Sequence, residues 1–169
     1  MQLGNEVSYN ELANLLKTDK ETVSNYISLL EKAFIVFRLQ PLSRNARREI
    51  STSRKVYFYD TGIRNMLIGN FNPLNLRQDT GALWENFLIA ERRKLHHYAG
   101  RFVSDYFWRT QSGQEIDYVE ETDGSFSAWE FKWNPNRNVR FPKNFLEAYP
   151  GTPADVIHRN NFQAFLTAQ

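Results

Sequence analysis

The sequence predicts a mixed α+β chain in two units. The first is a pair of helices closed by a basic hairpin, and the second is a small mixed sheet flanked by helices. Three observations lead there. Residues 8–33 carry two amphipathic helical patterns separated by Thr18-Asp19. Residues 34–59 carry two apolar, β-rich runs around a polar, basic stretch. Residues 101–133 carry three strand-like runs, the last two joined by an Asp-Gly turn. The expected division is 1–68 for the first unit, 69–78 for a linker and 79–169 for the second.

The composition allows this. A chain of 169 residues is one ordinary domain or two small ones. Its 41% hydrophobic and 15% aromatic content supplies a real core and excludes a disordered chain. Net charge is +2 with an isoelectric point near 8.9, a balance that permits nucleic-acid contact without requiring it. No cysteine is present, which excludes disulfides and thiolate zinc sites. His96, His97 and His158 do not have zinc-binding spacing. No apolar run reaches membrane-spanning length and the N-terminus has no signal pattern, so a cytoplasmic protein without membrane contact is expected.

Ser8-Tyr-Asn-Glu11 reads as a capping box opening the first helix, with Leu12, Leu15 and Leu16 at helical spacing. In the second helix Val23, Tyr26, Ile27, Leu30 and Ala33 form the expected apolar face. Thr22, Ser24, Asn25 and Ser28 lie towards the other faces, and short polar side chains suit phosphates and base edges. The apolar runs 34–42 and 56–59 then enclose a basic loop with Arg44, Arg47 and Arg48, followed by Arg54 and Lys55. Two strands closing a basic loop after a helix–turn–helix is the layout of a winged helix, with the wing reaching phosphates. Only seven residues precede Ser8, too few for the helix that a winged helix carries first, so the chain reads as part of a longer one.

Asp60-Thr-Gly62 turns the chain into a short helical piece, 63–68, and the Asn- and Pro-containing run up to Thr80 is the linker. A long amphipathic helix follows, capped by Asp79 or Thr80 and carrying Glu85 among large apolar neighbours. Strands are expected at 101–110, 115–119, 125–133 and 154–158, with short helices at 143–149 and 162–166. Strand alternation puts Trp129, Phe131 and Trp133 on one face and Glu130 and Lys132 on the other, where Asp117 can join them. Two carboxylates and a lysine on one sheet face suit a hard divalent cation with an ammonium beside an attacking water. A solvated ion pair is the plainer alternative. Arg137, Arg140 and Lys143 make a second basic patch.

The stretches SYNELANLL, ETVSNYISLLEKAFIV, KVYFYDTGIRNML, GALWENFLIAE, GQEIDYV and WEFKW, spread from Val7 to Leu166, resemble a prokaryotic family of AAA-type ATPases of unknown function. In that family an ATPase domain precedes a winged helix and a PD-(D/E)XK restriction-endonuclease-like domain. The resemblance implies Asp117 and Glu130 as ligands of magnesium or manganese, Glu85 as a supporting helix carboxylate, and Lys132 as the group orienting water. It also implies an N-terminal ATPase domain as a partner in the full-length protein. This chain has no P-loop and would not itself bind ATP that way. Two departures stand out. The proline that often precedes the aspartate is absent, and the segment after the Glu-x-Lys strand is rich in Pro and Asn. Three functions follow from the residues: a duplex-DNA-binding module of an ATPase with a nuclease-like scaffold, a metal-dependent nuclease, or a protein-interaction module.

Overall fold

The structure, a computed structural model, describes residues 6–43 and 54–167. Ser8 caps the first helix, α1 (Tyr9–Leu16), its hydroxyl accepting from the Glu11 N–H at 3.3 Å. Helix α1 ends at Lys17, whose φ of 53° is the left-handed stop of many helices. Asp19 starts α2 (Lys20–Lys32), accepting from the Thr22 N–H at 2.7 Å and its hydroxyl at 2.8 Å. The two helices close only a small core, in which Ala13, Val23 and Ile27 are buried against Tyr9 and Leu12. Tyr26 and Leu30, expected on the inner face, are exposed. A pair of short helices covers only a narrow stripe on each, and Tyr26 and Leu30 fall outside it.

Strands β1 (Val36–Pro41) and β2 (Lys55–Phe58) pair antiparallel, from Val36 opposite Phe58 to Leu39 opposite Lys55. The loop between them, with Arg44, Arg47 and Arg48, lies outside the described residues. After α3 (Thr61–Leu67) come α4 (Thr80–Tyr98), β3 (Ser104–Arg109), β4 (Glu115–Thr122), β5 (Ser125–Phe131), α5 (Lys143–Ala148), β6 (Ala154–Ile157) and α6 (Phe162–Phe165). The turn between β4 and β5 is the expected one, with Asp123 and Gly124 at φ of 51° and 78°.

One mixed sheet of six strands runs in the order β2-β1-β3-β4-β5-β6. The pairs β1/β3 and β5/β6 are parallel and the rest antiparallel. The expected linker therefore divides the chain but not the sheet. The hairpin assigned to the first unit continues the strands of the second, through Gln40 opposite Tyr106 and the Leu42 N–H donating to the Phe107 carbonyl at 2.7 Å. Leu88 and Ile89 of α4 and Phe165 of α6 share one core with Phe37, Tyr57, Tyr118 and Phe131. On the other core Phe145 and Tyr149 pack against Trp108, Ile116, Phe126 and Ala128.

The linker is strapped down rather than loose. Arg77 holds Asp79 through Nε at 2.8 Å and Nη2 at 2.9 Å, and reaches the Asn65 side chain and the Asn70 carbonyl at 2.9 and 2.7 Å. Arg64 also binds Asp79. The Arg77 guanidinium first, with Arg64 behind it, holds the Asp79 carboxyl well below the usual carboxylate range. This explains why Asp79, at the N-cap of α4, makes no side-chain cap bond: its carboxylate is already taken by two guanidinium groups.

Asn86 fastens α4 to the edge of the sheet. It is fully buried, accepts from the Phe58 N–H at 2.9 Å and donates to the Phe58 carbonyl at 2.7 Å. The side-chain amide thereby behaves as one more strand residue on the outer edge of β2, farther along from where Glu6 bridges Lys55. Replacing Asn86 with Ala strips both partners from a buried backbone unit and should lower unfolding stability by about 2–4 kcal/mol. Urea unfolding followed by tryptophan fluorescence reads this directly.

Candidate functional site

The register of β4 on β5, with Tyr118 opposite Trp129, sets Asp117 beside Glu130. Lys132, just past the end of β5, closes the group. Its Nζ donates to Asp117 Oδ2 at 3.2 Å and to Glu130 Oε2 at 2.6 Å. The same Asp117 oxygen accepts from the Phe131 N–H at 2.8 Å, which orients it. Glu85 arrives from α4. Its Oε1 accepts from the Tyr57 hydroxyl at 2.5 Å and from Lys55 Nζ at 3.3 Å. The four residues expected to carry chemistry thus fall in two ion-paired groups, Asp117, Glu130 and Lys132 in one and Glu85 with Lys55 in the other, coupled through the charge of Asp117.

Lys55 joins them, which corrects its expected place on the surface with the loop arginines, as a phosphate contact. It is 2% exposed, bridging Glu85 and Glu115, with Nζ 5.3 Å from the Phe107 ring centroid. Lys55 and Tyr57 are two apart on β2, so they present one face of the strand to α4. Burial works against the Lys55 ammonium, but the carboxylates of Glu85, Glu115 and Asp117 outweigh it and raise its pKa.

The charges adjust to one another. Burial pushes the Glu85 carboxyl up to about 7, opposed by Lys55 and reinforced by Asp117. Burial, then the neighbouring Asp117 charge, pushes the Glu130 carboxyl up to about 7, opposed by Lys132. Lys132 is raised because Asp117 and Glu130 outweigh its own desolvation. Four carboxyls face two ammonium groups here, and two of the four hold on to their protons far above the ordinary range, which brings the cluster close to neutrality. Among the described residues no three acidic or histidine side chains converge as a metal cage. With Lys132 seated between Asp117 and Glu130, the donor set does not fit a divalent cation as it stands.

The residues expected to touch DNA are spread along α2 and β2. Thr22 is tied to Asp19. Ser28 donates to the Ser24 carbonyl at 2.9 Å and accepts from Arg38 at 3.5 Å, so it faces inward. Asn25 is exposed, Ser24 is half-buried, and so is Arg54, whose carbonyl accepts from the Val7 N–H at 2.8 Å. Arg44, Arg47 and Arg48 lie outside the described residues.

Sequence reasoning missed Lys55, Tyr57 and Glu115 in this network. The only signal was a lysine placed inside an otherwise apolar strand. It also missed a second buried ionic group on the same helix, where Arg92 holds Glu120 through Nε at 2.8 Å and Nη2 at 3.0 Å while His96 Nε2 lies 2.7 Å from Glu120 Oε1.

Residues 80–167 match a domain of unknown function, DUF4143, and residues 1–74 match another, DUF8612. The chain is 32% identical over 124 residues to the uncharacterized protein Rv2008c of Mycobacterium tuberculosis and equally to the uncharacterized protein Mb2031c of Mycobacterium bovis. In each case the alignment covers 72% of this chain but 27% of the relative, so the chain spans about a quarter of the length of these proteins. No solved structure matches it. Among the described residues no helix is long and apolar enough to cross a membrane.

Glu85 and Glu130 bind their protons more tightly folded than unfolded, from an ordinary value of 4.5 up to about 7. The folded state holds more protons across that window, so stability should fall as pH rises through it. Melting temperature measured against pH shows this as a negative slope, and Glu130→Gln should flatten it. Lys55→Met leaves buried carboxylates without their cation and should cost about 3–5 kcal/mol at neutral pH and less in acid, where those carboxyls are protonated.

Proposed function

The chain belongs to the DUF4143 family, and from its site we propose that it is a duplex-DNA-binding module of an ATPase, in which the sheet and its ionic network serve as scaffold or regulator. The observation that carries the scaffold role is internal neutralisation. Lys132 lies within 2.6 Å of Glu130 and 3.2 Å of Asp117, and Lys55 bridges Glu85 and Glu115. Carboxylates held this way bind α4, β2, β4 and β5 together. DNA contact belongs to the winged-helix reading of the first 68 residues. The capped pair α1 and α2 leading into the β1–β2 hairpin supports it, as does the exposed Asn25. The basic loop of Arg44, Arg47 and Arg48 would then reach the phosphates. Domains of the DUF4143 family commonly accompany an ATPase domain, which supports the ATPase as the partner in the longer protein.

A second reading keeps the PD-(D/E)XK nuclease. The specific observation in its favour is that Lys132 holds Asp117 and Glu130 and that the Asp117 charge also acts on Glu85, with the Glu85 and Glu130 carboxyls each raised to about 7 by burial and then by Asp117. In that reading Asp117 and Glu130 would hold a magnesium or manganese ion after Lys132 swings off them, Glu85 would support the shell, and Lys132 would orient water.

Titration with duplex DNA at several salt concentrations tests the binding function. Affinity should fall steeply with salt and be insensitive to sequence. Reversing the charges of Arg44, Arg47 and Arg48 should lower the log–log salt slope by about one for each phosphate that is no longer neutralised. An unchanged slope removes the wing from the interface. Calorimetry with manganese, on the wild type and on Asp117→Ala with Glu130→Ala, separates the two readings of the sheet. The scaffold gives no heat in either protein. A nuclease binds manganese in the wild type, fails to bind it in the double variant, and nicks plasmid DNA.

A further inference from the structure

The hairpin has a second face. Lys55 and Tyr57 point towards α4, so Val56 and Phe58 point the other way. On that side an apolar groove of about 520 Å³ runs between the hairpin and the helices before and after it. Leu12 and Leu15 of α1, Leu30 of α2, Val56 and Phe58 of β2 and Leu67 of α3 line it. Its walls are open to solvent: Leu15 is 77% exposed, Leu67 60% and Leu30 40%. Leucines from three helices gathered around one groove make a contiguous apolar surface, the kind that marks an interaction site.

Where the chain enters says what fills it. Glu6 and Val7 stand in the lining. They are fixed there, Val7 by its N–H donating to the Arg54 carbonyl at 2.8 Å and Glu6 by its ion pair with Arg109 at 3.1 Å. Polypeptide leading into Glu6 is therefore delivered at the groove itself. The relatives show how much polypeptide a protein of this kind holds besides this part, since the chain spans about a quarter of their length.

The edge of the sheet limits the form of the occupant. On β2 the Arg54 carbonyl is taken by Val7, and both backbone groups of Phe58 are taken by Asn86. An added strand would find these rungs occupied, whereas a helix satisfies its own backbone and brings only side chains. Leu12 and Leu15 are three apart on α1, which presents one side of that helix to such a partner. None of Thr22, Ser24, Asn25 and Ser28 lines the groove, so filling it leaves the expected DNA-contacting residues of α2 free.

We propose that this groove is the docking site for the stretch that joins the ATPase domain to this chain, laid in as an amphipathic helix with apolar side chains at three- and four-residue spacing. The proposal rests on the reading of the chain as one module of a longer ATPase.

Two experiments test it. The sequence has no cysteine, so Leu15→Cys, Leu30→Cys and Asn25→Cys each give one thiol here for alkylation, read by peptide mass spectrometry. Against the 169-residue chain alone, the longer protein should slow labelling at positions 15 and 30 about tenfold or more, because a packed helix must first open, and leave position 25 unchanged. Equal labelling in both proteins overturns the proposal, and so does equal slowing at all three positions. ATP binding by the longer protein is measured alongside. Protection without ATP binding removes the ATPase reading and keeps the docked helix, and ATP binding without protection removes the docked helix alone. In the second experiment Leu15→Asp with Leu30→Asp should leave the melting temperature of the chain alone unchanged, since both side chains already meet water, and lower that of the longer protein. Unfolding of the chain alone by this pair would mean that the groove is already filled. Light scattering showing a dimer of the chain alone that the pair dissociates would make a second copy the occupant. Either result overturns the proposal.

Discussion

A buried charge must be answered, and Lys55 is where this molecule answers it. A lysine with 2% exposure survives in a core only if carboxylates surround it, and Glu85 and Glu115 do so from α4 and β4. The ammonium therefore ties the edge hairpin to the helix and to the central sheet at one point. Tyr57 reinforces the tie with its own bond to Glu85. Removing either sign of charge would leave the other stranded in low dielectric, which makes the network conditional on all of its members.

The same logic governs the relation of the two units. A separate winged helix and nuclease-like domain would each close its own core. Here β1 pairs with β3 in parallel, and Phe37, Leu39 and Tyr57 of the hairpin pack in one core with Leu88, Ile89, Phe107 and Tyr118. Asn86 adds a side-chain rung on the outer edge of β2. The family boundaries at 74 and 80 follow the chain between α3 and α4, yet hydrogen bonds and apolar burial cross that line. Motion of the hairpin relative to the sheet would open the core and expose Lys55 together. Any signal passing between α1–α2 and the sheet must travel through this shared body or leave it intact.

Much of the candidate site is legible in one dimension because strands alternate. Glu130 and Lys132 have to share a face, and the Asp-Gly turn, with its two positive φ residues, brings β4 alongside β5 so that Asp117 can meet them. Capping is equally legible: Ser8 and Asp19 cap α1 and α2 with local hydrogen bonds that need no tertiary partner. The place of Lys55 is not legible, for a physical reason. A lysine next to a basic loop reads as solvated unless the glutamates that will surround it are known, and those lie thirty and sixty residues away. Asp79 reads as a cap because nothing local announces that Arg77 and Arg64 will take its carboxylate first.

What the sequence determined by itself is therefore everything governed by short-range geometry: the helix starts, the hairpin turn, the strand faces, and the gathering of Asp117, Glu130 and Lys132 across neighbouring strands. The tertiary structure alone decided which charges are buried together, that the sheet is continuous across the expected linker, and that α1, α2, α3 and the hairpin surround one apolar groove. Those outcomes depend on contacts between residues far apart in the chain. Their energies come from desolvation and pairing, and these exist only once α4 has been laid across the sheet.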